Sequence, residues 1–252
     1  MKKSLVVANW KMYVEDKEAA KTYVKNLRAK LRAYPNAVVS IAPPFILIPP
    51  LVDSLKRTTI MVGAQAVSPH VSGAHTGEVS AAMLKKAGAA FSIIGHSERR
   101  AMGESNDMVR AQMLEAANQG LGAILCVGER ERDTSGEHFS FIKEQLTSAL
   151  VGLPRKALSK VVIAYEPVWA IGKSAADAMK PQEVQEAAIF IRKTLNGLIE
   201  PALAKKVPIL YGGSVEESNA HAILKEGGVN GFLVGHASAN LESFLPILKA
   251  TK

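Results

Sequence analysis

A chain of 252 residues, 48% hydrophobic and 21% charged, can bury a large core and is too apolar to be disordered. Its formal charge of +8 favours anionic partners, phosphorylated metabolites among them, because a long-range field raises encounter rates; no basic run is interleaved with aromatics, so nucleic acid is not expected. Cys126 is the one cysteine, which excludes an intramolecular disulfide and suits a reducing, cytoplasmic setting.

The amino terminus faintly imitates a secretory signal, but its apolar stretch Leu5–Ala8 is short and Asn9-Trp10-Lys11 interrupts it. The first strand is predicted over Leu5–Trp10. A helical stretch follows, with Ala20, Val24, Leu27 and Leu31 on one face. The second strand is predicted over Ala37–Ala42. The apolar run from Ile41 to Val52 contains Pro43, Pro44, Pro49 and Pro50 and falls short of the ~20 residues that span a bilayer, so no membrane segment is expected. Further strands are predicted over Ile60–Gln65, Phe91–His96, Gly122–Val127, Val161–Glu166, Val207–Tyr211 and Gly231–Val234. All are nearly continuous in apolar residues, which marks parallel strands buried on both faces. Val109, Met113 and Ala116 form the face of a fourth helical stretch, which Gly120 follows. Val184, Ala188, Ile191, Leu195 and Leu198 form that of a sixth, with Pro181 near its start. Eight strand–helix units in alternation, without a domain-sized linker, predict a single α/β domain over 1–252. Periodicity leaves a closed barrel and an open doubly wound sheet equally possible.

Polar and glycine-rich motifs cluster just after the apolar runs. They are Asn9-Trp10-Lys11, Gly95-His96-Ser97-Glu98-Arg99, Cys126-Val127-Gly128-Glu129, Tyr165-Glu166-Pro167, Tyr211-Gly212-Gly213-Ser214 and Val234-Gly235-His236. In a parallel sheet the strand carboxyl ends share one side, so these remote residues converge there. Two motifs are decoys. Gly172-Lys173-Ser174 imitates the tail of a phosphate-binding loop, but Pro167 stands where its first glycine is required. The segment Gly95–Arg99 imitates a nucleophile elbow, but Arg99 replaces the final glycine. No histidine or cysteine spacing suggests a metal site, and no cofactor is expected.

The segments Asn9–Met12, Ile93–Arg100, Ala164–Gly172 and Tyr211–Val215 resemble, in order, the signature stretches of the triosephosphate isomerase family. The likeness runs from Val6 to Ser238. It implies a (β/α)8 TIM barrel and an isomerase of glycolysis and gluconeogenesis. Such an enzyme interconverts dihydroxyacetone phosphate and D-glyceraldehyde 3-phosphate through an enediolate.

That reaction needs a base, a carbonyl-polarising donor, a phosphate site and exclusion of water. The resemblance makes Glu166 the base; at a strand end it can be partly desolvated, which raises basicity. It makes His96 the electrophile, and the pairing of a glutamate with a neutral histidine is this family's own pattern. Lys11 is the cation beside phosphate and enediolate oxygen, with Asn9 donating nearby. Glu98 supports Lys11 and the histidine. Ser97 holds Glu166 at rest, or else simply caps a helix. Backbone N–H groups at Gly172, Gly213, Ser214, Gly235 and His236 hold the phosphate. Residues 167–178 form a closing lid with Trp169 packing its base. Residues 63–78 form a long loop that inserts into the partner of a homodimer.

The sequence departs from the family pattern in the lid, where Lys173 to Ala178 replaces a more usual stretch and leaves the far hinge unplaced. It departs again at His236, where many members carry glycine; a positive φ there would strain a histidine. His75 and Ala66 also differ from the commoner residues. A silent barrel kept as a binding protein is the rival reading, and a triose phosphate assay separates the two.

Overall fold

The computed structural model describes residues 3–133, 135–172 and 179–252. In chain order it forms β1 (Ser4–Asn9), α1 (Lys17–Lys30), β2 (Ala37–Ala42), α2 (Ile48–Ser54), β3 (Met61–Val62), α3 (Ala81–Lys86), β4 (Phe91–Ile94), α4 (Ser97–Ala101) and α5 (Asn106–Asn118). There follow β5 (Gly122–Val127), α6 (Glu137–Leu150), α7 (Arg155–Leu158), β6 (Val161–Tyr165), α8 (Pro181–Leu198), α9 (Pro201–Ala204), β7 (Ile209–Tyr211), α10 (Glu217–Glu226), β8 (Gly231–Val234) and α11 (Leu241–Lys249).

All eight strands lie in one parallel sheet, in the order β3-β2-β1-β8-β7-β6-β5-β4. The two ends of that order meet. Ala64 bridges Ser92, the Ala90 N–H donates to the Val62 carbonyl at 2.8 Å, and the Ala64 N–H to the Phe91 carbonyl at 2.9 Å. The sheet is therefore a closed barrel, which decides between the two topologies that periodicity left open. Among the described residues, no strand edge is left open for another strand to join.

Two apolar layers hold it. Val7, Ala42, Phe91, Ile93, Ile124, Cys126, Ala164, Leu210 and Leu233 fill the barrel interior. The opposite strand faces pack against helix stripes that include Ala20, Val24, Leu27, Val109, Met113, Val184, Ile191 and Leu195. A β-carbon on Gly63 would lie 2.5 Å from the Phe91 ring, so Phe91 occupies space that only glycine leaves free.

Helix starts follow local chemistry. Asp16, Ser80, Ser105 and Asn240 each accept a backbone N–H of the helix they precede. Pro181 opens α8, and Gly120 takes a left-handed φ of 67° just past α5. Leu31, expected on the α1 face, instead starts a 3-10 turn and is only half buried.

Several strands are shorter than their apolar runs. The seventh run begins at Val207, yet β7 begins at Ile209, because Pro208 has no N–H for the ladder. β3 pairs over two residues rather than over Ile60–Gln65, with its last ladder contact at Ala64. Trp10, His96 and Glu166 lie just beyond β1, β4 and β6. His96 and Glu166 turn their side chains over the barrel mouth there, while Trp10 stays buried in the apolar layer.

Candidate active site

Asn9, Lys11, His96, Glu166, Gly172, Gly213, Ser214, Gly235 and His236 all line one cavity of about 900 Å³ at the carboxyl ends of the strands. Ser97 and Glu98 stand behind it, at the start of α4. No cluster of three or more His, Cys, Asp or Glu residues that could hold a metal ion occurs among the described residues.

Glu166 follows β6 and is buried. Its Oε2 accepts the Ser97 backbone N–H at 2.8 Å, and its Oε1 lies 3.1 Å from His96 Nε2. Ser97 thus touches Glu166 through its backbone. The helix N-cap is His96, whose Nδ1 accepts the Glu98 N–H at 3.2 Å. An Nδ1 that accepts carries no proton, so the ring is a neutral imidazole with its N–H on Nε2, pointed at Glu166.

Gly128, on the neighbouring β5 loop, is essential to this placement. A β-carbon there would fall 1.8 Å from the Glu166 carbonyl oxygen, which is backbone and cannot rotate away. Gly128→Ala is expected to displace the strand exit that carries Glu166 and cut turnover about 100-fold, the scale of an ångström-sized misplacement. A steady-state assay with a thermal melt checks this.

Cys126 lies within the barrel beneath the cavity. Burial, then the neighbouring Glu166 carboxylate, push its thiol well above the ordinary range. It is therefore neither exposed nor ionised at neutral pH. A thiol-reactive aromatic disulfide should modify no cysteine in the native protein and one per chain in guanidinium.

Lys11 adopts a left-handed backbone with φ of 46°, unusual for a side-chain-bearing residue. Its surroundings enforce this. The Asn9 Oδ1 accepts its N–H at 3.2 Å, and the Gln65 side-chain amide donates to its carbonyl at 2.8 Å and to that of Ala42 at 3.0 Å. Its Nζ meets Glu98 Oε1 at 2.5 Å. Partial burial pushes the Glu98 carboxyl up, but Lys11 more than offsets this and leaves it below its ordinary range. Gly235 lies against the lysine stem: a β-carbon there would sit 3.2 Å from Lys11 Cε.

Residues 173–178 of the expected lid lie outside the described residues. The segment before them takes a 3-10 turn over Val168–Ala170. Trp169 Nε1 donates to Glu129 Oε1 at 2.8 Å, and the Tyr165 hydroxyl donates to the same oxygen at 2.8 Å. Burial and this carboxylate push the Tyr165 hydroxyl far up, so it stays protonated and donating. The Ser214 hydroxyl donates to the Ala170 carbonyl at 3.1 Å, tying the β7 loop to this turn.

His236 is exposed and opens a short 3-10 turn over His236–Ala239. The non-glycine residues with positive φ among those described are Lys11 and Arg57, so the feared strain at His236 does not arise. Its ring instead stacks on Tyr13. Sequence reasoning missed Gln65 and Tyr13. Neither was given a role by the sequence: Gln65 enters the site through its contact to Lys11, and Tyr13 lines the cavity beside His236.

A closed parallel barrel with a carboxylate, a neutral imidazole and a lysine around one cavity defines a barrel enzyme equipped for proton transfer beside a carbonyl. Comparison with known proteins then fixes the family. The triosephosphate isomerase model matches residues 4–251. The triosephosphate isomerase of Flavobacterium johnsoniae is 41% identical, covering 99% of this chain and 100% of its own. That of Lawsonia intracellularis is 41% identical over 98% of each chain. That of Dictyoglomus thermophilum is 37% identical over 99% of this chain and 100% of its own. The chain belongs to the triosephosphate isomerase family.

Proposed function

We propose that this enzyme interconverts dihydroxyacetone phosphate and D-glyceraldehyde 3-phosphate, with Glu166 as base, His96 as electrophile and Lys11 as the cation. The observation that carries the reading is that these three side chains, distant in sequence, open into one cavity. Without substrate, Glu166 rests on the Ser97 N–H and the His96 Nε2–H. A substrate carbonyl competes for the His96 donor and frees the carboxylate to swing to the substrate carbon.

Glu166 then takes a proton from C1 of the ketose, and the C1–C2 bond becomes the double bond of an enediolate. His96 donates to the C2 oxygen as negative charge gathers there, and Lys11 adds a fixed positive field. Delivery of the proton from Glu166 to C2, with transfer of the O1 proton to O2, yields the aldose. Nothing is oxidised or reduced overall, so no cofactor is required. The phosphate takes backbone N–H groups at Gly172, Gly213, Ser214, Gly235 and His236, with Asn9 nearby. Lid closure over 167–178 excludes water from the enediolate.

The working protein on this reading is a cytoplasmic homodimer joined through residues 63–78. Residues 70–78 stand exposed in the single chain, which leaves this tip free to meet a partner. Gln65 at the base of the same loop holds Lys11, so assembly and site are mechanically linked. No helix among the described residues is long and apolar enough to cross a membrane. A coupled assay of triose phosphate interconversion, in both directions, tests the activity, and absence of turnover would remove it. Sedimentation tests the dimer.

A further inference from the structure

We infer that Tyr13 and His236 form a clasp that positions Lys11. Their rings stack across the cavity mouth with centroids 4.7 Å apart and planes 25° apart, within the offset-stacked range that gives aromatic pairs a preference beyond simple contact. Both line the cavity, yet neither is needed for proton transfer or phosphate binding by its side chain.

The backbone shows what the stack acts upon. The Tyr13 N–H donates to the Trp10 carbonyl at 3.0 Å, closing a tight turn with Lys11 inside it. Trp10 is fully buried and meets Tyr23 edge-on at 4.9 Å, so the turn's first end is fixed. Its second end, Tyr13, is exposed and would swing freely without a partner. The stack supplies that partner from the β8 loop. One residue earlier in the same loop, Gly235 lies against the Lys11 stem. Lys11 is thus bracketed twice from β8, at its stem by Gly235 and through its turn by His236. A left-handed residue is held only when its surroundings over-determine it, and releasing one end of the turn lets φ relax away from 46°. His236 therefore acts through Lys11 as well as through its backbone N–H. A histidine here adds a link across the mouth that glycine cannot provide.

This rests on the isomerase reading, and the test separates the two. Tyr13→Ala, His236→Ala, the double variant and Tyr13→Phe are compared with the unaltered enzyme in triose phosphate turnover, in inorganic phosphate binding and in thermal melting. Each alanine variant should lose about fivefold in kcat/KM, through both a lower kcat and a higher KM, with melting unchanged. The double variant should lose no more than either single one, because each removes the same contact. Tyr13→Phe, which keeps the ring, should retain activity within about twofold. Losses that multiply in the double variant would show two independent roles and overturn the clasp, as would full activity in Tyr13→Ala. If the unaltered enzyme shows no isomerisation, the isomerase reading fails. The phosphate affinities of the same four variants then still decide the clasp.

Discussion

Glu166→Asp is expected to lower kcat by about 100- to 1000-fold while KM stays within about threefold, as removal of a transition-state contact requires. The reason is geometric. The Glu166 backbone is pinned to the β5 loop, with its N–H donating to the Val127 carbonyl at 2.8 Å and Gly128 packed against its carbonyl. The backbone cannot advance to compensate for a shorter side chain. Aspartate keeps the charge and chemical type but withdraws the carboxylate by roughly one C–C bond from the substrate carbon, and a misplacement of about 1 Å costs on the order of 100-fold. On the proposed reading the phosphate is held by backbone N–H groups of other loops, so its binding should not depend on this group. Steady-state kinetics in both directions check the split, with a thermal melt to show that the barrel persists. Unchanged kcat would take the role of base away from Glu166.

Why some of this was legible in the sequence, and some not, follows from what each feature writes into the chain. Parallel barrel strands are buried on both faces, so Val6–Ala8 and Ile124–Val127 read as continuous apolar runs. Closure of the barrel writes nothing local. It depends on the Ala64–Ser92 bridge, between residues that look like any others in buried strands. The predicted strands overran at His96 and Glu166 because those residues follow the apolar runs directly, and nothing local marks where pairing stops and the chain turns into the cavity. Lys11, His96 and Glu166 were readable as side-chain chemistry in characteristic motifs. The contact that parks Glu166 was only half readable, since a backbone N–H donates at Ser97 and any residue but proline provides one. Gln65 and Tyr13 were not readable at all. Their importance arises from contacts to Lys11 and His236, made across the fold by ordinary polar and aromatic residues.

The support around Lys11 also explains the order of the expected effects. The lysine is fixed by several partial restraints, namely Asn9, Gln65, Glu98 and the Tyr13–His236 stack. Loss of one leaves the others, so losses at the periphery are small. On the proposed mechanism Glu166 and His96 have no such redundancy, because each would offer one particular atom to the substrate.

His96→Gln should therefore lower kcat by about 100- to 1000-fold, the usual cost of removing one preorganised donor to a developing oxyanion. Glutamine is the severe test because its amide is also a neutral donor. Its shortcomings are two. In the native site the ring is locked, its Nδ1 accepting the Glu98 N–H while Nε2 faces the cavity. A flexible glutamine chain must spend its carbonyl on that same N–H while aiming its amide, and it loses the rigidity that makes preorganisation effective. An amide is also a much weaker acid than an imidazole, so it stabilises the enediolate less and relays protons between the two substrate oxygens poorly. KM and inhibition by inorganic phosphate should stay near their unaltered values, because the deficit falls on the transition state and not on ground-state binding. A variant with normal kcat would show that any donor at this position suffices. A variant with raised KM alone would assign His96 to substrate holding, and in either case the electrophile would have to be sought among Asn9 and Lys11 on the β1 side of the cavity.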